Sequence, residues 1–145
     1  MDNIVKELPD QLKTLRLQGF ADHLDDVESS DKGLRESLAL LCHHEQDRRY
    51  ERTMQRKIKQ AGFPKVKTLS MLDYNKSPHL SKEMVKNLST CKYIDDKRNV
   101  ILVGDSGGGK THLAIALGVE ACKKIYSVGF YDVSKLCNLL LKEHK

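Results

Sequence analysis

The sequence predicts an α/β protein in which a helical N-terminal module precedes the first part of a parallel sheet domain. Apolar residues recur at helical spacing through the first third of the chain. The apolar, β-branched run Val100–Val103 is short enough for a buried strand, and a glycine-rich turn and a second helical pattern follow it. A later run, Val128–Tyr131, predicts a second strand before another amphipathic helix.

Composition and charge limit the class of protein. Of the 145 residues, 39% are hydrophobic and 31% are charged, which is typical of a globular protein with a lean core. No apolar run approaches the length of a membrane span, and the first residues lack the layout of a signal peptide, so we expect a cytoplasmic protein with no membrane partner. A net charge of +5 permits a polyanionic partner without requiring one.

Two short helices are predicted at the N-terminus, within residues 2–29. Two apolar stripes follow one another there, and Gly19 lies between them. Pro9 suits a helix start, because its fixed φ angle matches the first helical position. Cys42 and Cys122 fall at apolar positions of helical patterns further along, which predicts small core residues, and the cysteine spacing does not indicate a zinc site.

A much longer helix is predicted next, from a cap at Ser30 or Asp31 to about Ala61, where Gly62 and Pro64 end it. Its second half is densely basic and carries Arg48, Arg49, Arg52, Arg56, Lys57 and Lys59. These charges form either a solvated face or a surface that tracks the phosphates of DNA. The charge pattern alone favours the solvated face, because basic helices are common.

The segment from Val66 to Pro78 has mixed polarity and no sustained period, which predicts a linker. Tyr74 in this segment is either close to a bound adenine or packed on the surface, and we prefer the second interpretation. Ser81 can then cap a helix that runs to about Thr90. These boundaries predict three parts. They are a helical module at residues 1–64, a linker with its helix at residues 65–98, and the first part of the sheet domain at residues 99–145.

The turn after the first predicted strand carries the strongest chemical signal. Gly104-Asp105-Ser106-Gly107-Gly108-Gly109-Lys110-Thr111 fits the P-loop pattern G-x-x-x-x-G-K-[ST] at every fixed position. The glycines allow backbone N–H groups to turn toward a phosphate. Lys110 would reach the β- and γ-phosphates, and the Thr111 hydroxyl would complete the shell of a Mg²⁺ ion. A purely structural turn needs neither the glycines nor a lysine at a helix N-terminus, so the motif predicts phosphate binding.

The residues around this turn resemble a known family. The sequence Asn99-Val-Ile-Leu-Val-Gly, followed by Gly-Lys-Thr-His-Leu-Ala-Ile-Ala-Leu-Gly, is similar to the IstB-like transposition-helper ATPases. Those are AAA+ P-loop proteins related to the DnaC-type helicase loaders. The resemblance covers most of the chain and implies bound ATP and Mg²⁺, with nucleotide contacts from Gly104, Asp105, Ser106, Gly107, Gly108, Gly109, Lys110, Thr111 and His112.

One residue of the loop departs from the family pattern. Position 108 is Gly here, where the family usually carries Thr or Ser. The backbone donors of the loop remain, so we expect weakened rather than abolished nucleotide binding.

The resemblance also implies a function. It indicates an ATP-dependent helper of a transposase that acts in DNA transposition, and it raises the odds that the basic helix contacts DNA. Self-assembly is expected for full-length relatives. Two alternatives stay open: a DnaC-like loader of a replicative helicase, and a non-catalytic interaction module with a vestigial nucleotide site.

We do not expect this chain to hydrolyse nucleotide by itself. A P-loop ATPase needs an acidic residue that holds Mg²⁺ and activates water, and in the resembled family that residue comes later than Lys145. Asp132 follows an apolar run, but the next residues predict a helix N-cap there. We therefore expect a truncated product or a piece of a longer protein. In AAA+ sheets the strands that Val100–Val103 and Val128–Tyr131 would form are not adjacent, so these runs either pair directly or leave a gap.

Overall fold

The computed structural model describes residues 2–76 and 80–143. Within these residues the regular elements are helices, which we number α1 (Asp2–Thr14), α2 (Gln18–Glu28), α3 (Leu34–Gln60), α4 (Lys82–Ser89), α5 (Lys92–Asp95), α6 (Lys110–Lys123) and α7 (Val133–Glu143). The chain divides between Thr53 and Met54 into two compact units, so α3 begins in the N-terminal unit and ends in the C-terminal unit. None of the described helices has the length and apolar character needed to cross a membrane.

The predicted parallel sheet is wrong, because residues 2–76 and 80–143 contain no β-strand. Val100–Val103 and Val128–Tyr131 are irregular segments. Phe130 donates its backbone N–H to the carbonyl of Ala61, just after α3, over 2.8 Å. A strand exists only where another backbone pairs with it, and β-branched composition supplies suitable side chains without supplying that partner.

In the N-terminal unit, the break between α1 and α2 lies at residues 15–17. The N–H of Leu17 donates to the Leu12 carbonyl over 2.8 Å, and Arg16 adopts a left-handed φ of 60°. Pro9 lies inside α1, and Gly19 lies inside α2, so their predicted roles as a helix start and a separator are wrong. The helix ends here through its own backbone bonds rather than at the glycine.

Gly19 has a packing role instead. A Cβ at this position would lie 2.7 Å from the Cα of Glu45, so only glycine lets α2 approach α3 this closely. The N–H of Gly19 donates to the Glu45 carboxylate over 2.7 Å. Cys42 on the same helix is exposed, which contradicts its predicted place in the core, because the buried side of α3 in this unit carries Leu41 and Glu45.

The Glu45 carboxylate is the centre of a buried polar contact. Its side chain is 9% exposed and lies 2.6 Å from the Arg49 guanidinium, which also donates to the carbonyl of Arg16. Burial raises the pKa of the Glu45 carboxyl, but the hydrogen bonds from Arg49 and Gly19 outweigh this effect and leave the pKa below its ordinary value. The pair therefore fastens the turn between α1 and α2 onto α3.

The core of the C-terminal unit forms around α6. A central cluster of Leu72, Val85, Leu113 and Leu117 is buried, and Leu69 packs against it. Leu69 and Leu72 belong to the predicted linker, so the described part of that segment packs on the core instead of running free. Pro78, where the linker was predicted to end, lies outside the described residues.

Three local predictions in this unit are confirmed. The Ser81 hydroxyl accepts the N–H of Met84 over 3.0 Å and caps α4. Cys122 is fully buried. The Asp132 carboxylate accepts the N–H of Lys135 over 2.8 Å at the start of α7, which makes it an N-cap.

Candidate nucleotide-binding site

The predicted phosphate loop lies directly before α6. Gly104, Gly107 and Gly109 have φ angles of 153°, 83° and 78°, in the region that residues with a side chain rarely adopt. Gly109 is the last residue before the helix, so the first backbone N–H groups of α6 follow the turn at once. These free N–H groups and the helix dipole make the end of the loop a suitable place for an anion.

Lys110 lies across the loop. Its ammonium donates to the carbonyls of Gly104 and Asp105 over 2.7 Å and 2.6 Å. The positive charge is therefore held over the same turn whose glycines present the backbone.

Gly108 shows why its departure from the family pattern matters locally. Its N–H donates to the Asp105 carbonyl over 3.2 Å, and a Cβ at position 108 would lie 3.2 Å from the same oxygen. A Ser or Thr there would require that carbonyl to shift by a few tenths of an ångström. The glycine therefore fits the loop conformation seen here.

A cavity of about 720 Å³ opens beside the loop. This volume lies within the range of about 300–1,000 Å³ that is typical of ligand sites. The cavity is lined by Leu80, Met84, Ile101, Leu102, Val103, Leu113 and every residue from Gly104 to Lys110. The motif gave no sign of Leu80 and Met84, because Leu80 lies just before α4 and Met84 lies in its first turn, more than about twenty residues before the loop's end.

Two residues of the predicted nucleotide site lie outside this lining. Thr111 is exposed at the start of α6. The His112 ring lies 3.0 Å from the Thr68 carbonyl, which can only accept, so Nε2 carries the proton and donates. The role of Thr111 toward Mg²⁺ and the contact of His112 with nucleotide stay predictions. Tyr74, the other residue considered for the base, packs against the Leu72 cluster.

The basic residues of α3 fall into two groups. Three of them make contacts within their own unit: Arg48 with Asp22 at 2.9 Å, Arg49 with Glu45 at 2.6 Å and Lys57 with Ser127 at 2.7 Å. The other three, Arg52, Arg56 and Lys59, are exposed. Contact of any of the six with DNA stays a prediction.

Comparison with known proteins identifies the family. The sequence profile described as IstB-like ATP binding protein matches residues 10–145. The chain belongs to this IstB-like family. A Pseudomonas aeruginosa protein of insertion sequence IS21, named for ATP binding, is 34% identical over 94% of this chain and 53% of its own length. A Bacillus thuringiensis protein of insertion sequence IS232, named in the same way, is 30% identical over 100% of this chain and 58% of its own length.

A third relative is also matched by this chain over only part of its own length. The insertion-sequence protein of Mycobacterium tuberculosis, also named for ATP binding, is 31% identical over 94% of this chain and 56% of its own length. The IstB-like chain therefore spans about half the length of the curated relatives it matches. The part of this chain that the family profile matches includes its own Gly104–Thr111 loop.

Proposed function

We propose that this IstB-like chain binds ATP with Mg²⁺ at Gly104–Thr111 and serves as the nucleotide-binding part of a transposase helper. The observation that carries the proposal is the loop itself. Its glycines hold left-handed φ angles, the Lys110 ammonium lies over the turn, and a nucleotide-sized cavity adjoins both. The insertion-sequence relatives support a role in transposition rather than in helicase loading.

Three sets of groups contact the nucleotide or its ion in this proposal: the first N–H groups of α6, the Lys110 ammonium and the Thr111 hydroxyl. The N–H groups at the start of α6 donate to phosphate oxygens, and Lys110 moves from the Gly104 and Asp105 carbonyls to the β- and γ-phosphates. The Thr111 hydroxyl fits Mg²⁺ as one oxygen ligand beside phosphate oxygens and waters. The ion, when bound, neutralises phosphate charge.

We propose that this chain by itself binds nucleotide without hydrolysing it. Within the described residues, Asp132 is the carboxylate that follows an apolar run toward the end of the chain, and the N-terminus of α7 uses it as a cap. Both oxygens of that carboxylate face Lys135, through its backbone N–H and its ammonium, so we assign Asp132 no role in activating water. We therefore expect phosphate release at the background rate in a steady-state assay, with and without Thr111→Ala.

Calorimetry with ATP and Mg²⁺ tests the nucleotide site. Lys110→Ala should weaken binding by about 10- to 100-fold, because a charge-assisted contact contributes roughly 1.5–3 kcal/mol. Lys86→Ala is the matched control, since Lys86 is an exposed lysine of α4 outside the cavity lining. Equal affinities for both variants and the wild type would show that the loop does not bind the phosphates.

We also propose that the helper contacts DNA through Arg52, Arg56 and Lys59. Arg48 and Arg49 already neutralise carboxylates of their own unit, so they contribute less. Affinity for duplex DNA should fall steeply with salt, and the slope should decrease by roughly two when Arg52 and Arg56 are both changed to Glu. Arg35→Glu, at an exposed position near the start of α3, is the control. A slope that is unchanged by the double reversal would exclude Arg52 and Arg56 as DNA contacts.

A further inference from the structure

Three contacts that join α2 to α3 in the N-terminal unit use titratable side chains. The N–H of Gly19 donates to the Glu45 carboxylate over 2.7 Å. Asp22 pairs with Arg48 over 2.9 Å. The third contact is a stack of two histidine rings. A contact built from such groups responds to pH, because protonation changes the charges that hold it together.

The rings of His23 on α2 and His44 on α3 lie face to face. Their centroids are 3.9 Å apart, and their planes differ by 16°. Two neutral rings, or one charged and one neutral ring, fit this arrangement without charge repulsion. Two charged rings do not, because each of two like charges this close disfavours the charged form of the other. Histidine is the side chain that ordinarily gains its charge between about pH 8 and pH 5.

The charged groups around the two rings support a first proton but not a second. Nδ1 of His23 lies 3.1 Å from the Asp26 carboxylate, which stabilises a positive charge on that ring. Within the described residues no carboxylate pairs with His44, and Arg48 lies one turn further along α3. Several other carboxylates of α1, α2 and α3 already have partners: Asp10 pairs with Lys13, Asp22 with Arg48, Glu45 with Arg49, and Asp47 with His43. A second proton, on His44, therefore meets the charge on His23 without a compensating anion.

We propose that the histidine pair, His23 and His44, is a proton-sensitive contact that holds α2 on α3 near neutral pH and opens in mild acid, when both rings are charged. The pKa of the Glu45 carboxyl lies below its ordinary value, so this carboxylate keeps its charge in mild acid and the response belongs to the two rings. Opening also frees Arg48 from Asp22, because that ion pair crosses the same contact. Mild acid therefore adds an available cation to the basic residues of α3.

Hydrogen exchange of the Gly19 amide in the full chain tests the proposal. This N–H group lies in the first turn of α2, where no helix carbonyl accepts it, so its protection depends on the bond to Glu45. In the wild type its protection factor should fall by about tenfold or more between about pH 7.5 and about pH 5, through repulsion of the two ring charges. His44→Phe keeps a ring in the stack without a second charge, so its protection factor should change by less than about twofold. His43→Phe is the matched control, because His43 is the adjacent residue, pairs with Asp47 and lies outside the stack, and it should behave as the wild type does.

Two outcomes would overturn the proposal. One is equal protection of the Gly19 amide at the two pH values in the wild type. The other is a fall of the same size in His44→Phe, which would place the acid response in another group. His23→Phe removes one of the two charges from the opposite side of the stack and should match His44→Phe, so the test does not depend on the folding of one variant. Circular dichroism at both pH values would verify that the helices persist.

Discussion

The two flanks of the phosphate loop are held in very different ways. After the loop, α6 buries Leu113, Leu117 and Val119 among its neighbours. Before the loop, the segment 100–103 leaves Ile101 and Val103 83% and 89% exposed. A helix satisfies its own backbone and needs only side-chain cover, whereas a strand needs a second backbone beside it. The helical half of a strand–loop–helix unit can therefore form where the strand half does not.

Hydrogen exchange gives the largest expected difference between the flanks. Amides in the middle of α6 should exchange only through global unfolding, with an opening free energy of about 5 kcal/mol or more. Amides of Val100–Val103 should exchange with almost no protection, because the described residues offer them no backbone partner. Strong protection of this segment in a monomer would show that a sheet forms after all, and the comparison would fail.

A matched pair of truncations is the next largest test. Leu117→Ala should lower the free energy of unfolding by about 2–5 kcal/mol, because it leaves a cavity in the core cluster. Val103→Ala should change it by less than about 0.5 kcal/mol, since the side chain is already in solvent. Urea denaturation of both variants measures the difference. Similar losses in the two variants would mean that both flanks are packed.

Bound nucleotide should change the exchange protection of the two flanks by different amounts. Mg²⁺ and ATP at 100 times the dissociation constant should stabilise the C-terminal unit by about 2.7 kcal/mol. The added exchange protection should be larger at Ile101–Val103, which lines the cavity, than in the already protected centre of α6. Protection confined to α6 would indicate that the ligand does not reach residues 101–103.

The N-terminal unit offers the smallest effect and a different kind of contact. The pKa of Glu45 lies below its ordinary value in the folded protein. The contribution of its charge to the free energy of unfolding is therefore fully present above the unfolded pKa, about 4.5, and is lost as the pH falls below that value. Glu45→Gln should cost about 1.5 kcal/mol at pH 7, and the cost should shrink toward pH 3. The α6 core is apolar, so the Leu117→Ala cost should not vary in this way. A pH-independent cost for Glu45→Gln would show that its charge is not involved.

What the sequence predicted correctly depended on neighbouring residues. The caps at Ser81 and Asp132 and the presence of a helix after the glycine-rich turn follow from signals within a few positions of each element. The contact between Gly19 and Glu45 joins residues 26 positions apart, and no local pattern reports it. The prediction of a strand at Val100–Val103 was wrong for a related reason, because the composition of a segment does not specify which backbone pairs with it.

The candidate site also contains residues that the sequence predicted and residues that it did not. The loop motif identified the residues that hold left-handed angles and the lysine that lies over them. Leu80 and Met84 reach the cavity only because the Leu72 cluster packs α4 against α6, and Leu80 itself packs on that cluster. His112 and Thr68 meet through the same packing, 44 positions apart.

Lys110 holds its position before any phosphate arrives, because two loop carbonyls already order its side chain. In the proposed complex, nucleotide binding exchanges neutral acceptors for anionic ones and does not have to immobilise a freely rotating amine. Much of the side-chain entropy, on the order of 2 kcal/mol for lysine, is already lost in the free protein. If the loop binds nucleotide as proposed, it does so as a preorganised receptor, and its affinity reflects the difference between two sets of oxygen acceptors competing for one ammonium group.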